Sequence, residues 1–171
     1  KNGYCFFNFS LKKNELSKGY LSYGRGPNEV IGPFGSMVKD GKLWMYDVTT
    51  KKLMSTDLKK ALNDSDTPFK SFPIEKDHYQ IAPLDSISFF SVGESTSLSK
   101  IQLYDLNTQK TLKEYGKFIL LDEEAPIDAI KDGYRSLMAT KPIGNKILLA
   151  YRYEDIIEIY DLNSGLNKAV H

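Results

Sequence analysis

The chain of 171 residues carries 23 basic and 22 acidic side chains, which gives a formal net charge of +1. Nothing in this balance points to a basic face, so we expect neither nucleic acid nor an anionic membrane surface as a partner, while a local basic patch is compatible with it. The one cysteine, Cys5, excludes an intrachain disulfide, and no run approaches the roughly 18 apolar residues of a membrane span.

The chain begins inside a strand-like run, "GYCFFNFS", without an initiating Met or the charged and apolar regions of a signal peptide. We therefore expect that a targeting segment has been removed or that the sequence is a piece of a longer protein. Two histidines and one cysteine are a poor supply of zinc ligands. We predict no metal site and no cofactor.

The next segment, "YGRGPNEVIGP", has two interpretations, a phosphate-binding loop or a corner of the chain. A phosphate loop requires Lys followed by Ser or Thr after its glycines, and then a helix. This segment has neither, so we interpret it as a corner. Gly24 and Gly26 permit positive φ, and Pro27 fixes one torsion.

Short strands dominate the rest of the sequence. The runs "KLWMYD" and "KILLAYRY" carry apolar residues on both alternating faces, as in a sheet that is packed on both sides. Only "TDLKKALND", from Thr56 to Asp64, and "APIDAIKDGY" could form a helical turn or two. These patterns predict an all-β fold.

A repeat of about fifty residues organises these strands. Strands that end in Asp-Leu recur with their leucines at Leu58, Leu106 and Leu162, and another strand precedes each copy. A unit of four short antiparallel strands that repeats at this period is typical of a β-propeller blade. We predict a half blade at 1–24, blades at 25–74 and 75–116, and an incomplete blade at 117–171.

The segment Tyr23–Leu58 resembles the NHL-type repeat in its Gly-x-Gly loop, later proline, "DG" turn and aromatic strand ending in Asp. Its Gly-Arg-Gly-Pro-x-Glu version is more similar to the TolB-like six-bladed propellers, common among exported and lipid-anchored proteins of Bacteroides-type bacteria. The detailed match covers about one blade. The resemblance implies a periplasmic or outer-membrane-anchored protein.

A six-bladed ring needs roughly 300 residues at this repeat length, so the chain would form about three blades of a partial ring. An open stack of blades would expose two apolar faces, which soluble monomers avoid. We expect the remaining blades to come from a longer chain or, alternatively, from a second copy related by two-fold symmetry.

Loops that lead from an outer strand to the next inner strand gather around the funnel of a propeller. In this sequence they contain the candidate binding residues Arg25, His78, Tyr79, Tyr134 and Arg135. Arginine forks and tyrosine rings suit an anionic or sugar-like ligand. In the alternative interpretation, Arg25 pairs with Glu29 while the tyrosines cap the core and His78 is a packing residue.

Acidic residues in the loops are interpreted as structural. The pairs in "NDSDTP" and "LDEEAP" lack the pattern of a calcium loop or of placed catalytic acids, and Asp47, Asp105 and Asp161 close strands in turns.

Our leading hypothesis for the function is an exported binding or scaffold module for a peptide, glycan or protein partner, in preference to an enzyme. The alternative is a six-bladed-propeller hydrolase or lyase with a site at the funnel. An enzyme should bring several carboxylates or histidines together there, whereas a binding module should present an aromatic and basic concavity.

Overall fold

The structure is a computed structural model that describes residues 3–64, 66–118, 126–141 and 145–170. Two compact units divide the chain, Lys1–Glu75 and Lys76–His171. Both are built from β-sheets with short helices, so the predicted all-β class is confirmed, and the four-stranded antiparallel sheets are propeller blades. No helix in the described part of the chain has the length and apolar character that are needed to cross a bilayer.

The first unit contains a three-stranded sheet and a four-stranded sheet. The strands of the three-stranded sheet are β1 (Tyr4–Ser10), β2 (Glu15–Tyr23) and β3 (Glu29–Val30). The elements of the four-stranded sheet are β4 (Pro33–Lys39), β5 (Lys42–Asp47), β6 (Lys52–Asp57), helix α1 (Leu58–Asn63) and β7 (Lys70–Pro73). All neighbouring strands are antiparallel except β2 and β3, which form a short parallel pair because the corner turns the chain back beside β2.

The second unit contains two four-stranded antiparallel sheets. The first is formed by β8 (Gln80–Pro83), β9 (Ser88–Val92), β10 (Ser99–Asp105) and β11 (Thr111–Lys117). Helix α2 (Ile127–Gly133) precedes the second, which is formed by β12 (Ser136–Thr140), β13 (Lys146–Tyr151), β14 (Ile157–Asp161) and β15 (Gly165–Val170). Segment 117–171, in which we expected an incomplete blade, thus holds four paired strands. The blade boundaries at 25, 75 and 117 remain predictions.

The repeat found in the sequence corresponds to the third strand of each four-stranded sheet. Asp57, Asp105 and Asp161 end β6, β10 and β14. The carboxylate of each accepts backbone hydrogen bonds from residues two or three positions later, at 2.7–3.2 Å. In the first sheet this bond caps α1, and in the other two it closes a hairpin turn. The structural role predicted for Asp105 and Asp161 is confirmed.

Apolar side chains hold the two sheets of the first unit together. Leu21 and Val30, from the three-stranded sheet, form one buried cluster with Met45, Met54 and Phe69. The corner also contributes a polar tie, because Asn28 Oδ1 accepts a hydrogen bond from the Phe69 amide at 3.0 Å. The packing of β2 and β3 against the four-stranded sheet therefore fixes the position of the corner that joins these two strands.

In the second unit the two sheets lie side by side in the same order. Gln80 of β8 joins the first strands, because its side-chain amide donates to Met138 O at 3.0 Å and accepts from Met138 N at 2.8 Å. Lys113 Nζ and Tyr115 OH of β11, the last strand of the first sheet, both donate to the carbonyl of Leu162 in the turn before β15, at 2.7 and 3.1 Å. These contacts align the loop before β8 with the loop before β12.

Candidate functional site

The glycine-rich corner is held by the carboxylate of Glu29. Glu29 Oε2 accepts a hydrogen bond from the Gly26 amide at 2.6 Å, and Oε1 accepts one from Ser22 Oγ at 3.5 Å. The positive φ that Gly24 and Gly26 permit is not adopted there, since the positive-φ glycines in the described residues are elsewhere. A Cβ at Gly24 would lie 2.1 Å from Glu29 Oε2, so a side chain at this position would displace the carboxylate from the corner. The carboxylate therefore binds the loop backbone, and Arg25 is exposed to solvent.

Asp47 fixes the other end of the corner. Its fully buried carboxylate accepts hydrogen bonds from the amides of Ile31 and Gly32, at 2.8 and 3.1 Å, and from the amides of Thr49 and Thr50, at 3.0 and 3.1 Å. Burial acts to raise the pKa of Asp47, but these donors outweigh it and hold the pKa below its ordinary value. The structural role predicted for Asp47 is confirmed, and the corner is interpreted as scaffold.

His78 lies in the core of the second unit. It is 3 % exposed, and its Nδ1 lies 2.5 Å from Ser91 Oγ. The rings of Phe89 and Tyr104 contact it edge-on, with centroids at 5.8 and 5.1 Å. A serine beside a histidine has the composition of a nucleophile and its base, but Ser91 is 0 % exposed and a substrate could not reach it. The geometry is that of a packed histidine.

Tyr79 and Arg135, two of the predicted binding residues, lie together at the surface of the second unit. The Arg135 guanidinium carbon is 5.5 Å from the centroid of the Tyr79 ring. The two residues immediately precede β8 and β12, which the Gln80 side chain joins. Gly93 makes room for the tyrosine, since a Cβ there would lie 2.6 Å from Tyr79 Cβ.

Charged neighbours orient the guanidinium of Arg135. Asp132 Oδ1, at the end of α2, accepts from Arg135 Nε at 2.9 Å and lies 2.8 Å from its second terminal nitrogen. The Arg135 side chain is still 42 % exposed. Beside it, the Arg152 amide donates to Arg135 O at 2.8 Å, and the Arg152 guanidinium lies 5.7 Å from the Tyr153 ring. We call Tyr79, Arg135, Arg152 and Tyr153 the arginine–tyrosine surface.

Tyr134 lies next to this surface but belongs to an aromatic cluster. Its ring contacts Phe118 and Tyr151, with centroids at 5.3 and 5.8 Å, and Lys100 Nζ lies 5.1 Å from its centroid. Tyr134 is half-buried.

A buried ion pair lies under this cluster. Lys100 Nζ of β10 donates to Glu158 Oε1 of β14 at 2.7 Å, and the hydroxyls of Tyr151 and Tyr160 donate to Oε2 at 2.6 and 2.7 Å. Burial acts to raise the pKa of Glu158, but its hydrogen bonds, first that from Lys100, hold the pKa below its ordinary value. Burial and the adjacent carboxylate raise the pKa of both tyrosines. This network joins two sheets.

Sequence reasoning missed the ion pair and the second arginine–tyrosine pair. A charged residue in the middle of an apolar strand, such as Glu158 between Ile157 and Ile159, was the available signal. In the described residues no cluster of three or more His, Cys, Asp or Glu side chains could hold a metal ion. Of the acidic segment "LDEEAP", residues 121–125 lie outside the described residues.

A family profile described as TolB-like 6-blade propeller-like matches residues 1–170. A member of the DUF4221 family from Bacteroides vulgatus is similar in structure, with a TM-score of 0.56 and 12 % sequence identity, over 94 % of this chain and 49 % of that protein. The chain thus spans about half the length of this relative.

A second solved structure is that of a protein from Bacteroides fragilis described as exported. Its TM-score is 0.49 at 10 % identity, over 95 % of this chain and 64 % of that protein. None of the curated proteins compared with the chain matches it.

Proposed function

This chain belongs to the TolB-like 6-blade propeller-like family, and from that premise we propose that it is an exported binding or scaffold module. Its partner is a peptide, a glycan or a protein, which it engages through the arginine–tyrosine surface. The TolB-like resemblance, which implies a periplasmic or outer-surface location, supports the assignment to exported proteins.

The observation that carries the proposal is the placement of the Arg135 guanidinium over the Tyr79 ring at 5.5 Å. A guanidinium held by a ring and by Asp132 has lost much of its rotamer freedom before a ligand arrives. Its free edge can donate two parallel hydrogen bonds to a carboxylate. Arginine and tyrosine are also the residue types that dominate the binding energy of interfaces.

A ligand with a carboxylate next to a flat apolar face fits this arrangement. A uronic acid in a glycan has these features, and so does an acidic side chain beside a hydrophobic residue in a peptide. The second pair, Arg152 and Tyr153, extends the surface and offers a second donor of the same kind.

Calorimetric titration with four probes tests the proposal: a glucuronate-containing oligosaccharide, a neutral oligosaccharide of the same length, a Glu-rich peptide and an Ala-rich peptide. We expect at least one acidic probe to bind. Tyr79→Ala and Arg135→Gln should each weaken that binding about tenfold or more, as for hot-spot residues. Tyr79→Phe keeps the ring and should bind nearly as the unmodified protein does.

The matched control is Lys146→Gln, which removes one positive charge at the opposite end of strand β13. If Lys146→Gln weakens binding as much as Arg135→Gln does, the loss of binding is caused by the change in net charge and not by the arginine–tyrosine surface. The proposal fails if no probe binds and none shifts the amide signals of Tyr79 and Arg135.

We propose in addition that further blades of a longer chain cover apolar surface that this chain exposes. In the first unit, Phe7, Phe9 and Leu16 are between 49 % and 63 % exposed, and in the second unit Leu137 and Leu166 are 61 % and 55 % exposed. Such side chains favour association. Light scattering on the 171-residue chain should show self-association, and a stable monomer of 19.4 kDa would contradict this.

A further inference from the structure

A cavity in the first unit is lined by several lysines. Its volume is about 290 Å³, and its walls come from β5, β6, α1 and β7. The lining residues include three lysines, Lys42, Lys60 and Lys70, together with Ser55, Thr56 and one acidic residue, Asp57. We call it the lysine cavity. Its residues all belong to the unit Lys1–Glu75, so it is separate from the arginine–tyrosine surface.

Strand register brings the lysines to one face of the sheet. Lys70 of β7 lies opposite Ser55 of β6, and Ser55 lies opposite Trp44 of β5, while Lys42 lies opposite Asp57. Residues opposite one another, and those two positions along a strand, project from the same face. Lys42, Ser55 and Lys70 therefore stand on the same side of the sheet.

Aromatic rings hold two of these side chains in place. Lys42 Nζ lies 5.8 Å from the centroid of Trp44, and Lys70 Nζ lies 4.6 Å from the centroid of Phe72. The two rings stack on one another with centroids 6.1 Å apart. Cation–π contact of this kind fixes a lysine stem while its ammonium keeps donors for another partner.

The charges around the cavity are not balanced. Three lysines and one acidic residue line it, and Asp57 Oδ1 already accepts the Lys60 amide at 2.8 Å as the cap of α1. Charges that lie within about one Debye length of one another, about 8 Å at physiological ionic strength, are only partly screened. Lysines that line one cavity of about 290 Å³ therefore repel one another. An anion between them would relieve this repulsion.

Ser55 adds a hydroxyl to the same wall. The residue is 5 % exposed and lines the cavity. A serine hydroxyl carries one O–H donor. Its O–H is available to an oxyanion that the lysines attract.

We propose that the lysine cavity binds a tetrahedral oxyanion, namely the sulfate or phosphate monoester group of a larger ligand. Lysine ammonium groups are compact point charges that suit phosphate and sulfate oxygens without requiring the planar match of a carboxylate. Ser55 then donates to one of the remaining oxygens. The volume accommodates the oxyanion and the atom that carries it, while the rest of the ligand lies outside.

The probes are glucose 6-phosphate, glucose 6-sulfate and glucose, titrated into the chain while backbone amide signals are followed by NMR. We expect both charged sugars, and not glucose, to shift the amides of Ser55, Thr56 and Lys70. The ratio of the two dissociation constants decides between phosphate and sulfate. Raising the salt concentration should weaken the binding of both.

Lys42→Gln and Lys70→Gln should each weaken binding about threefold or more, in the range of partly exposed ion pairs. Lys59→Gln is the matched control, because Lys59 lies on α1, is exposed and does not line the cavity. Asp57→Ser removes the opposing charge and keeps a residue that can cap the helix, so it should tighten binding.

Three results would overturn the proposal: no shift of the cavity amides with either charged sugar, an equal weakening by Lys59→Gln, or weaker binding in Asp57→Ser with α1 still folded by its amide signals. Tyr79→Ala should leave this binding unchanged, so the lysine cavity and the proposed function can fail independently.

Discussion

Lys100 and Glu158 form an ion pair at 2.7 Å across two neighbouring sheets, with both residues less than a tenth exposed. The two side chains are 8 % and 11 % exposed, and the second carboxylate oxygen accepts hydrogen bonds from two tyrosine hydroxyls. Such a pair adds little net stability compared with apolar packing, but removal of one partner leaves the other charge buried and unpaired.

The first prediction concerns the loss of that lysine. Lys100→Met keeps the volume of the stem and should lower the free energy of unfolding by about 3–5 kcal/mol, because Glu158 remains buried without its cation. Urea denaturation followed by fluorescence measures the change. Lys110→Met, at an exposed position on the same hairpin, should have almost no effect. If the two variants are equally stable, the pair is solvated and our description of it is wrong.

The second prediction concerns pH. The pKa of Glu158 is lowered in the folded protein from its ordinary value of 4.5. A lowered folded pKa contributes stability that is present above the unfolded value and is lost as the pH falls through the folded value. Glu158→Gln does not titrate, so the stability difference between the two proteins should shrink as the pH falls below about 4.5. Thermal unfolding between pH 7 and pH 3 measures this. If this stability difference instead grows on acidification, the pKa of Glu158 is not lowered in the folded protein and the prediction is wrong.

The third prediction concerns Gly93. Its φ of +68° and the approach of Tyr79 both disfavour a side chain. Gly93→Ala should destabilise the second unit by about 1–2 kcal/mol through its backbone alone and should displace the Tyr79 ring from Arg135. Gly133→Ala is the control, because a Cβ there contacts nothing within 4 Å. The unfolding midpoint reports the loss of stability, and the NMR signals of Tyr79 and Arg135 report the displacement of the ring. An unperturbed Tyr79 signal in Gly93→Ala would contradict the prediction.

The fourth prediction concerns the corner. Asp47→Asn keeps the size of the side chain but replaces one acceptor oxygen with a donor that faces backbone amides. We expect a loss of about 1–3 kcal/mol of stability, the cost of leaving buried donors unsatisfied. Asp40→Asn serves as the control, because its φ of 49° is tolerated by both residue types. A difference below 0.5 kcal/mol in urea unfolding, roughly the effect of an ordinary surface substitution, would show that the corner does not depend on Asp47.

The repeat made the blades predictable, because the Asp-Leu hairpins and the alternation of apolar residues are local patterns. The helical turn at α1 and the turns at Asp105 and Asp161 followed from the same chemistry. The role of Gly24 beside Glu29 was not predicted, because the sequence does not show that the Glu29 side chain approaches this glycine.

The candidate site was predictable only in part. Tyr79 and Arg135 were selected because each precedes an inner strand, and the structure brings them together. His78 precedes Tyr79 by one residue in the loop before β8, but His78 is buried in the core while Tyr79 is half-buried beside Arg135. Pairing of Lys100 with Glu158 depends on contact between sheets, which no local pattern encodes.

The aspartates that end β6, β10 and β14 accept the same kind of backbone hydrogen bond, whether a helix or a hairpin turn follows. The link from the third to the fourth strand can therefore change its length and shape without disturbing the strands on either side. A peptide inserted after this aspartate, by evolution or by engineering, would therefore begin with its first backbone amides already hydrogen-bonded. The lysine cavity lies beside the longest of these links, the one that contains α1. A longer link can thus give one blade a charged surface of its own.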